Sequence, residues 1–467
     1  MQSQPKALYV LFFTEMWECF SYYGMRMLLV LYMYEQLSFS ESDSIAIYAL
    51  YTSLVELGSI AGGYAADRYL GAKNSIFYGG TLIATGHLIL SCFDDHQSTL
   101  LTSLAFIIVG SAFFKTNIKA LLGEFYEDND KRRGPGFALF YVGINIGALM
   151  ATALCGNIAI HYGWSSGFGL AALGMLAGLT ILCLKNHVLE NKGASPKRVR
   201  KRKQILLMLI ALTTIPLITI LFNKRDMVTP LLPIIAIVAI GFIALKARNC
   251  THLEKKNMLS LLSLVGVLII FFAFEELMGS MMMLFLERYV EKTIFGISIH
   301  SSSLTMSNPL TIIILGPFIT RAIDTKIAKN IRIAFSFLAA GFLTLYISII
   351  LTKDDSLIPI IYPLLCFGLI AIGELFIAPT IVAYCTEIAP KKLRGLLMGG
   401  VMMGHAYASL VSGFIAQNVV VPIKDISAVS QYQYFFLSVV LLSTAIAIGC
   451  VLLENFHKYT SNLRPNY

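Results

Sequence analysis

The chain has 467 residues, of which 57% are hydrophobic and 13% are charged. In soluble globular domains about a quarter of all residues are charged. This composition therefore excludes an ordinary soluble fold and indicates a polytopic membrane protein. The net charge of +9 comes from basic stretches such as Lys197 to Lys203. In a membrane protein such stretches are better explained as a topology signal or as contacts with anionic lipid headgroups than as a nucleic-acid binding site.

Fourteen apolar runs approach the ~20 residues that a helix needs to cross a bilayer. We predict spans at 7–34, 44–66, 75–93, 99–122, 137–157, 164–184, 205–223, 228–246, 259–286, 303–323, 332–351, 356–383, 395–420 and 432–453. Lysine and arginine concentrate in alternate loops, which places both termini in the cytoplasm. The first span holds acidic residues and lacks a cleavage site, so it is not interpreted as a signal peptide.

A polar stretch at 186–204 separates six spans from two further spans and a last group of six. We therefore predict an N-terminal six-helix bundle at 1–185, a basic linker with two accessory spans at 186–258, and a C-terminal six-helix bundle at 259–467. Two such bundles around a central site are typical of secondary transporters.

Glu15, Glu18, Tyr22 and Arg26 lie at offsets of 0, 3, 7 and 11 within the first span. These offsets place them on one face of a helix. Because ionisable groups at membrane depth are costly, they are expected to line a watery cavity or to pair with one another. Tyr23 adjoins the same face.

Span two is followed by GGYAADRYLGAK, which contains Asp67 and Arg68. Its glycines and charges predict a tight cytoplasmic turn in which the two charged residues bias gating. The spacing G-x-x-x-D-R-x-x-G-x-K resembles the loop signature of the major facilitator superfamily.

Span four places Lys115 deep in the membrane, where it is expected to pair with a carboxylate. Glu15 and Glu18 are the nearest candidates in kind. In the fifth span Tyr141 and Asn145 stand among small residues that favour close helix packing.

The later spans carry further polar groups. Glu275 and Glu276 are adjacent in the span at 259–286, and two neighbouring carboxylates in an apolar environment cannot comfortably both be ionised. Adjacent residues point about 100° apart around a helix, so we expect only one of the two to face the cavity. Asn308 follows in the next span, and Glu374 lies shortly before Pro379, which could form a hinge.

The eight cysteines form no CxxC pair and have no histidine at metal spacing. His87 and His405 lie within spans, where either could titrate or form a hydrogen bond across helices, and a packing role is favoured for both. No metal cluster, nucleophile–base set or phosphate loop appears at membrane depth, so the sequence predicts neither an enzyme nor a metal site. No soluble stretch is long enough for a signalling domain, which makes a non-transporting sensor the less favoured alternative.

The segments EMWECFSYYGMR, FFKTNI, FYVGINIGAL, FEELMGS and GELFIAP occur in this order. Together they resemble the proton-dependent oligopeptide transporter family of the major facilitator superfamily, from about residue 8 to about residue 450. The resemblance implies an all-α major facilitator fold in a bacterial inner membrane, with two six-helix bundles and two extra central helices. It further implies import of di- and tripeptides with protons by alternating access. We expect a monomer, with no cofactor besides the coupling protons.

The resemblance also implies roles for particular residues. The substrate-binding positions are Arg26, Tyr22, Tyr23, Lys115, Asn145, Asn308 and Glu374, the last for the peptide amino group. The proton-coupling positions are Glu15, Glu18, Lys115, Glu275 and Glu276.

Three positions depart from the family pattern. Cys19 stands where an arginine should follow the second glutamate, Glu56 stands where family members commonly have tyrosine, and Phe272 replaces a tryptophan. The first two changes make the pocket more negative, and they include Glu56 among the expected substrate contacts. Additional proton-carrying sites, or an amino acid or organic cation as the cargo, therefore remain open alternatives.

Overall fold

The computed structural model describes most of the chain. The described residues are 3–93, 95–127, 130–189, 192–194, 199–224, 241, 245, 251–294, 296–319, 322–323, 326–352, 356–388, 394–420 and 427–462.

Long helices account for nearly all of this structure. Their bounds are α1 Lys6–Glu35, α2 Glu41–Ala65, α3 Ala72–Cys92, α4 Gln97–Gly123, α5 Arg133–Tyr162, α6 Trp164–Leu184, α7 Lys201–Asn223, α8 His252–Glu275, α9 Met281–Tyr289, α10 Ser307–Ile319, α11 Ile327–Leu351, α12 Ile361–Ile388, α13 Arg394–Val420 and α14 Ala428–Asn462. A two-stranded antiparallel hairpin, β1 Thr293–Ile294 and β2 Ile297–Ser298, lies between α9 and α10. Eleven helical segments of the described chain are long and apolar enough to cross a membrane.

The all-α fold predicted from the apolar runs is confirmed, and thirteen of the fourteen predicted spans correspond to helical segments. The remaining span, 228–246, lies almost wholly outside the described residues. Its partner accessory span is α7, which packs against α4 and leaves most of its surface exposed.

The predicted span at 259–286 is not one continuous helix. Helix α8 ends at Glu275, a 3-10 turn covers Glu276–Gly279, and α9 begins at Met281. Ser280 between them has φ −124° and ψ −105°, far from helical values. Glycine and serine are poor helix formers in succession, and such pairs are common sites of helix kinks.

The predicted turn after span two is also wrong in its details. Ala66–Leu70 continues α2 as a π-helical segment, and the chain reverses only at Gly71, whose φ of 76° favours glycine. Asp67 and Arg68 are therefore exposed helical residues, and Arg68 donates a hydrogen bond to the Tyr64 hydroxyl at 3.0 Å.

The chain divides into two compact units. The first comprises Met1–Ile234 and Thr293–Met306, and the second comprises Ile235–Lys292 and Ser307–Tyr467. In the first unit α1 packs against α5 and α6, while α4 packs against α2 and α3. In the second unit α11 packs against α12 and α14, and α8 packs against α13.

The segment Thr293–Met306, here called the strap, belongs to the first unit although it follows α9 in the chain. Asn157 on α5 binds it twice, accepting from the backbone N–H of His300 at 2.9 Å and donating to the Ser303 hydroxyl at 3.1 Å. Gly156 leaves the space that the strap occupies, since a Cβ there would lie 2.3 Å from the Ser302 hydroxyl. The strap is therefore fitted closely to α5.

Candidate functional site

The charged stripe of α1 is buried as a set. Glu15 is 2% exposed, Glu18 is 1% exposed and Arg26 is 8% exposed. Oε2 of Glu15 and Oε1 of Glu18 have no hydrogen-bond partner among the described residues. Burying an ionised carboxylate without a partner is very costly, so this arrangement accommodates the neutral, protonated acids.

Cys19 interacts with the acid that precedes it. Its thiol donates to Oε2 of Glu18 with a sulfur–oxygen distance of 3.6 Å, and the side chain is buried. The missing arginine is therefore replaced by a weak neutral donor, which removes a fixed positive charge from this wall. Glu15, Glu18 and Cys19 also place one candidate ligand atom each within 4.8 Å of one another. A metal ion would need these groups deprotonated, whereas their burial favours the neutral forms, so the absence of a metal site stays a prediction.

Arg26 is enclosed by tyrosines from α1 and α2. Its Nε donates to the Tyr48 hydroxyl at 2.8 Å. Its guanidinium carbon lies 5.7 Å from the ring centroid of Tyr22, 5.8 Å from that of Tyr23 and 5.5 Å from that of Tyr48. Cation–π attraction is strongest where water is excluded, so these rings stabilise and orient the guanidinium.

Two of the aromatic residues at this site were not predicted from the sequence. Tyr48 binds Arg26, and the ring of Tyr51 stacks on that of Tyr22 with centroids 6.3 Å apart. The available signal was spacing on α2, because Tyr48 lies two helical turns before Glu56 and therefore on the same face.

Lys115 forms its ion pair with Glu56 of α2, and not with Glu18 of α1 as expected. The Nζ of Lys115 lies 3.4 Å from Oε1 of Glu56. It also lies 3.8 Å from the ring centroid of Tyr22, a distance typical of a cation–π contact. The correction has a simple reason: the expectation considered the acids of α1, whereas α4 packs more extensively on α2.

Close backbone contact between α2 and α4 fixes this ion pair. A Cβ on Gly62 would lie 1.8 Å from the carbonyl oxygen of Ala112, so the helices can approach this closely because residue 62 is glycine. Two hydrogen bonds cross the same interface, from the Thr116 hydroxyl to the Ser59 carbonyl at 3.3 Å and from the Asn117 amide to the Gly62 carbonyl at 3.5 Å.

Asn145 is buried on α5 and donates to the carbonyl of Tyr141, one turn earlier in the same helix. Tyr141 itself is 39% exposed. Tyr141 and Asn145 thus lie one turn apart on α5, and the side-chain oxygen of Asn145 can still accept a hydrogen bond.

The second unit carries the other expected site residues. Glu275 ends α8 and Glu276 begins the 3-10 turn, and both are partly buried. Both keep helical backbone angles, so the expectation that one of them faces the cavity stays a prediction. Glu374 is partly buried within α12, which runs on through Pro379 to Ile388. Asn308 is buried at the start of α10, and its Nδ2 has no partner in the described structure.

Phe272, at the position where a tryptophan was expected, lies in the same unit. Its ring packs edge-on against that of His405, with centroids 4.4 Å apart. This contact is compatible with the packing role expected for His405, which stays a prediction. His87 on α3 is fully buried, and neither of its ring nitrogens has a hydrogen-bond partner among the described residues.

Comparisons with known proteins agree on the family. The POT family model (PTR2) matches residues 73–433. The dipeptide and tripeptide permease A of Escherichia coli (strain K12) is 27% identical over 472 residues, covering 98% of this chain and 94% of the relative. An uncharacterized transporter of Bacillus subtilis (strain 168), YclF, is 30% identical over 435 residues, covering 88% of this chain and 87% of the relative.

The fold is likewise similar to solved structures. A crystal structure of a peptide transporter POT in complex with sulfate matches with a TM-score of 0.85 and 26% identity, covering 97% of this chain and 95% of the other. The relatives and the solved structure align with most or nearly all of the chain, and the family model matches residues 73–433. The chain belongs to the POT family, and it is a multi-pass membrane transporter with a major facilitator fold and not an enzyme.

Proposed function

We propose that this chain imports di- and tripeptides together with protons by alternating access. The observation that supports this most is the pair of cations around Tyr22. Arg26 from α1 and Lys115 from α4 lie 5.7 Å and 3.8 Å from the centroid of that ring. A peptide carboxylate has the charge and the size to bind both, and arginine can hold it through two parallel hydrogen bonds.

The remaining polar residues divide between the substrate and the coupling ion. Glu374 is proposed to bind the peptide amino group, which carries the opposite charge. Glu15, Glu18 and Glu276 are proposed to take up protons, and the unpartnered oxygens of Glu15 and Glu18 support this for the acids of α1. Occupancy by both proton and peptide then shifts the equilibrium between outward-open and inward-open states, since each ligand favours the state that it binds more tightly.

Uptake into proteoliposomes tests the proposal. Purified protein is reconstituted, and labelled alanyl-alanine is supplied outside with the external medium more acidic than the lumen. We expect accumulation that a protonophore abolishes, and that falls when Lys115→Met removes the ammonium. Accumulation unaffected by the protonophore would refute proton coupling, and no accumulation of any small peptide would refute the cargo.

A second candidate keeps the fold and changes the cargo to an amino acid or another small organic cation. The observation that favours it is the Lys115–Glu56 pair, which occupies one of the two cations that a carboxylate would need. A thermal-shift screen of peptides against cationic metabolites separates the two cargos, because a ligand stabilises the protein it binds. Stabilisation by peptides alone would eliminate this candidate.

Cys19→Arg is a second probe of the same question. It restores the fixed positive charge beside Glu18, so a pocket selected for cationic cargo should lose affinity for cations. Unchanged substrate preference and pH optimum would show that Cys19 has no influence on either.

A further inference from the structure

The ion pair between Lys115 and Glu56 means that pairing with the lysine and holding a proton are done by different acids. One acid on α1 could have done both. Among the described residues this is the ion pair that Lys115 forms, with 3.4 Å between Nζ and Oε1. Glu18 instead receives the Cys19 thiol, and one oxygen of each α1 acid is without a hydrogen-bond partner in the described structure. The acids of α1 are therefore arranged to hold protons, while the acid of α2 holds the cation.

We propose that Glu56 is the proton-linked counter-ion that a substrate carboxylate displaces from Lys115. This inference deepens the proposed function and rests on it. When Glu56 is ionised it competes with the substrate carboxylate for the same ammonium. When a proton binds to Glu56, the carboxylate becomes a neutral acid, its attraction for Lys115 is lost, and the ammonium, which keeps its own protons, is released to the substrate.

The surroundings of Glu56 suit such a switch. Helix α2 packs against α4, which supplies Lys115, and against α1, which supplies Glu18. Glu56 and Glu18 repel each other electrostatically, and Lys115 and Lys119 both attract Glu18. Lys115 therefore favours the ionised form of Glu56 and a charged Glu18 opposes it, so the protonation of the two acids is coupled.

The pair is also accessible enough to exchange partners. The side chain of Glu56 is 29% exposed and that of Lys115 is 18% exposed, in contrast to the fully buried acids of α1. At the same time the positions of Glu56 and Lys115 are fixed, because Gly62 lets the backbone of α2 pack directly against Ala112 of α4. A pair that is held in place and yet reachable can be opened by protonation without separating the two helices.

Binding measurements on the full-length protein test the substrate step. The probes are alanyl-alanine and its C-terminal amide, measured between pH 5 and pH 7, where the peptide amino group stays protonated. For wild type we expect affinity for the free peptide to fall by up to about tenfold per pH unit as Glu56 ionises, since one proton is linked to binding. Glu56→Gln should hold the affinity at its acid value across this range. The amide has no carboxylate to compete with Glu56, so its binding to wild type should lack this pH slope.

Glu18→Gln is the matched control, because it neutralises an acid of the same type one helix away. We expect Glu18→Gln to retain a pH dependence of binding that Glu56→Gln lacks. A pH slope that survives in Glu56→Gln, or one that disappears in Glu18→Gln alone, overturns the proposal and assigns the coupling to α1.

A double-mutant cycle without substrate tests the ion pair independently of the cargo. Melting temperatures are compared for wild type, Glu56→Gln, Lys115→Met and the double variant. The two substitutions should be non-additive at pH 8 and closer to additive at pH 5, because a proton on Glu56 removes its attraction for Lys115. Additivity at both pH values overturns the inference even if peptides are transported, whereas a pH-dependent cycle without peptide binding would refute only the proposed cargo.

Discussion

The substitution Gly62→Ala tests whether the contact between α2 and α4 holds the site together. The added Cβ would lie 1.8 Å from the Ala112 carbonyl oxygen and 2.9 Å from the Phe113 backbone nitrogen. Real Cβ atoms almost never approach a neighbour closer than 3.0 Å, so the two backbones must separate by about 1.2 Å. Backbone atoms cannot rotate out of the way as a side chain could.

Overpacking of this kind costs about 1–3 kcal/mol, partly offset by the gain of about 1 kcal/mol when alanine replaces glycine within a helix. The same separation would carry Lys115 and Glu56 from 3.4 Å towards or beyond the limit of an ion pair. We therefore expect a lower melting temperature in detergent and a weaker pH dependence of substrate binding.

Gly266→Ala is the matched control, because a Cβ on Gly266 of α8 would have no neighbour within 4 Å. It should leave the protein as stable as wild type or slightly more stable. If Gly62→Ala and Gly266→Ala melt at the same temperature, the close contact of α2 and α4 does not constrain the structure, and the argument from Gly62 fails.

Three further predictions concern other parts of the chain. Arg26→Lys removes the planar donor that reaches Tyr48 and should raise KM for peptide uptake about tenfold, the equivalent of one hydrogen bond to a charged group; an unchanged KM would exclude Arg26 from binding. Hydrogen bonds from Arg132 hold the pKa of Asp130 below its usual range, so this stabilisation is complete at neutral pH and is lost as the pH falls through the lowered pKa. Asp130→Asn should therefore lower the melting temperature more at pH 7 than at pH 3, and an effect of equal size at both would contradict the reasoning. Gly156→Ala places a Cβ 2.3 Å from the Ser302 hydroxyl and 2.6 Å from Nδ1 of His300, and should make the strap more accessible to proteases. Cleavage at the wild-type rate would contradict this reasoning.

The sequence was sufficient for the helices and for much of the first unit's polar set. Apolar runs of the right length predicted the spans, and the spacing of Glu15, Glu18 and Arg26 predicted a shared buried face, because both signals depend on local periodicity. The partner of Lys115 could not be predicted in the same way. It depends on which helix packs against α4, and this is set by small residues such as Gly62, whose importance appears only when both helices are in place.

Local breaks in helices were the other weakness of the sequence analysis. The span at 259–286 is apolar on both sides of Glu275 and Glu276, so its mean hydropathy gave no sign that the helix stops at Glu275. The Gly279–Ser280 pair was the feature of the sequence that could have indicated a break in the helix. The π-helical segment at Ala66–Leu70 shows the opposite case, in which glycines and charges suggested a turn while the backbone stayed helical.

The strap has a consequence for how the protein is made. The first unit uses residues Thr293–Met306, so it lacks part of its own structure until the ribosome has synthesised well over half of the chain. Until then Asn157 has neither the His300 N–H nor the Ser303 hydroxyl to bind. Folding of the first unit therefore finishes late, after α8 of the second unit has been synthesised, and a fragment ending in the central linker would lack the strap.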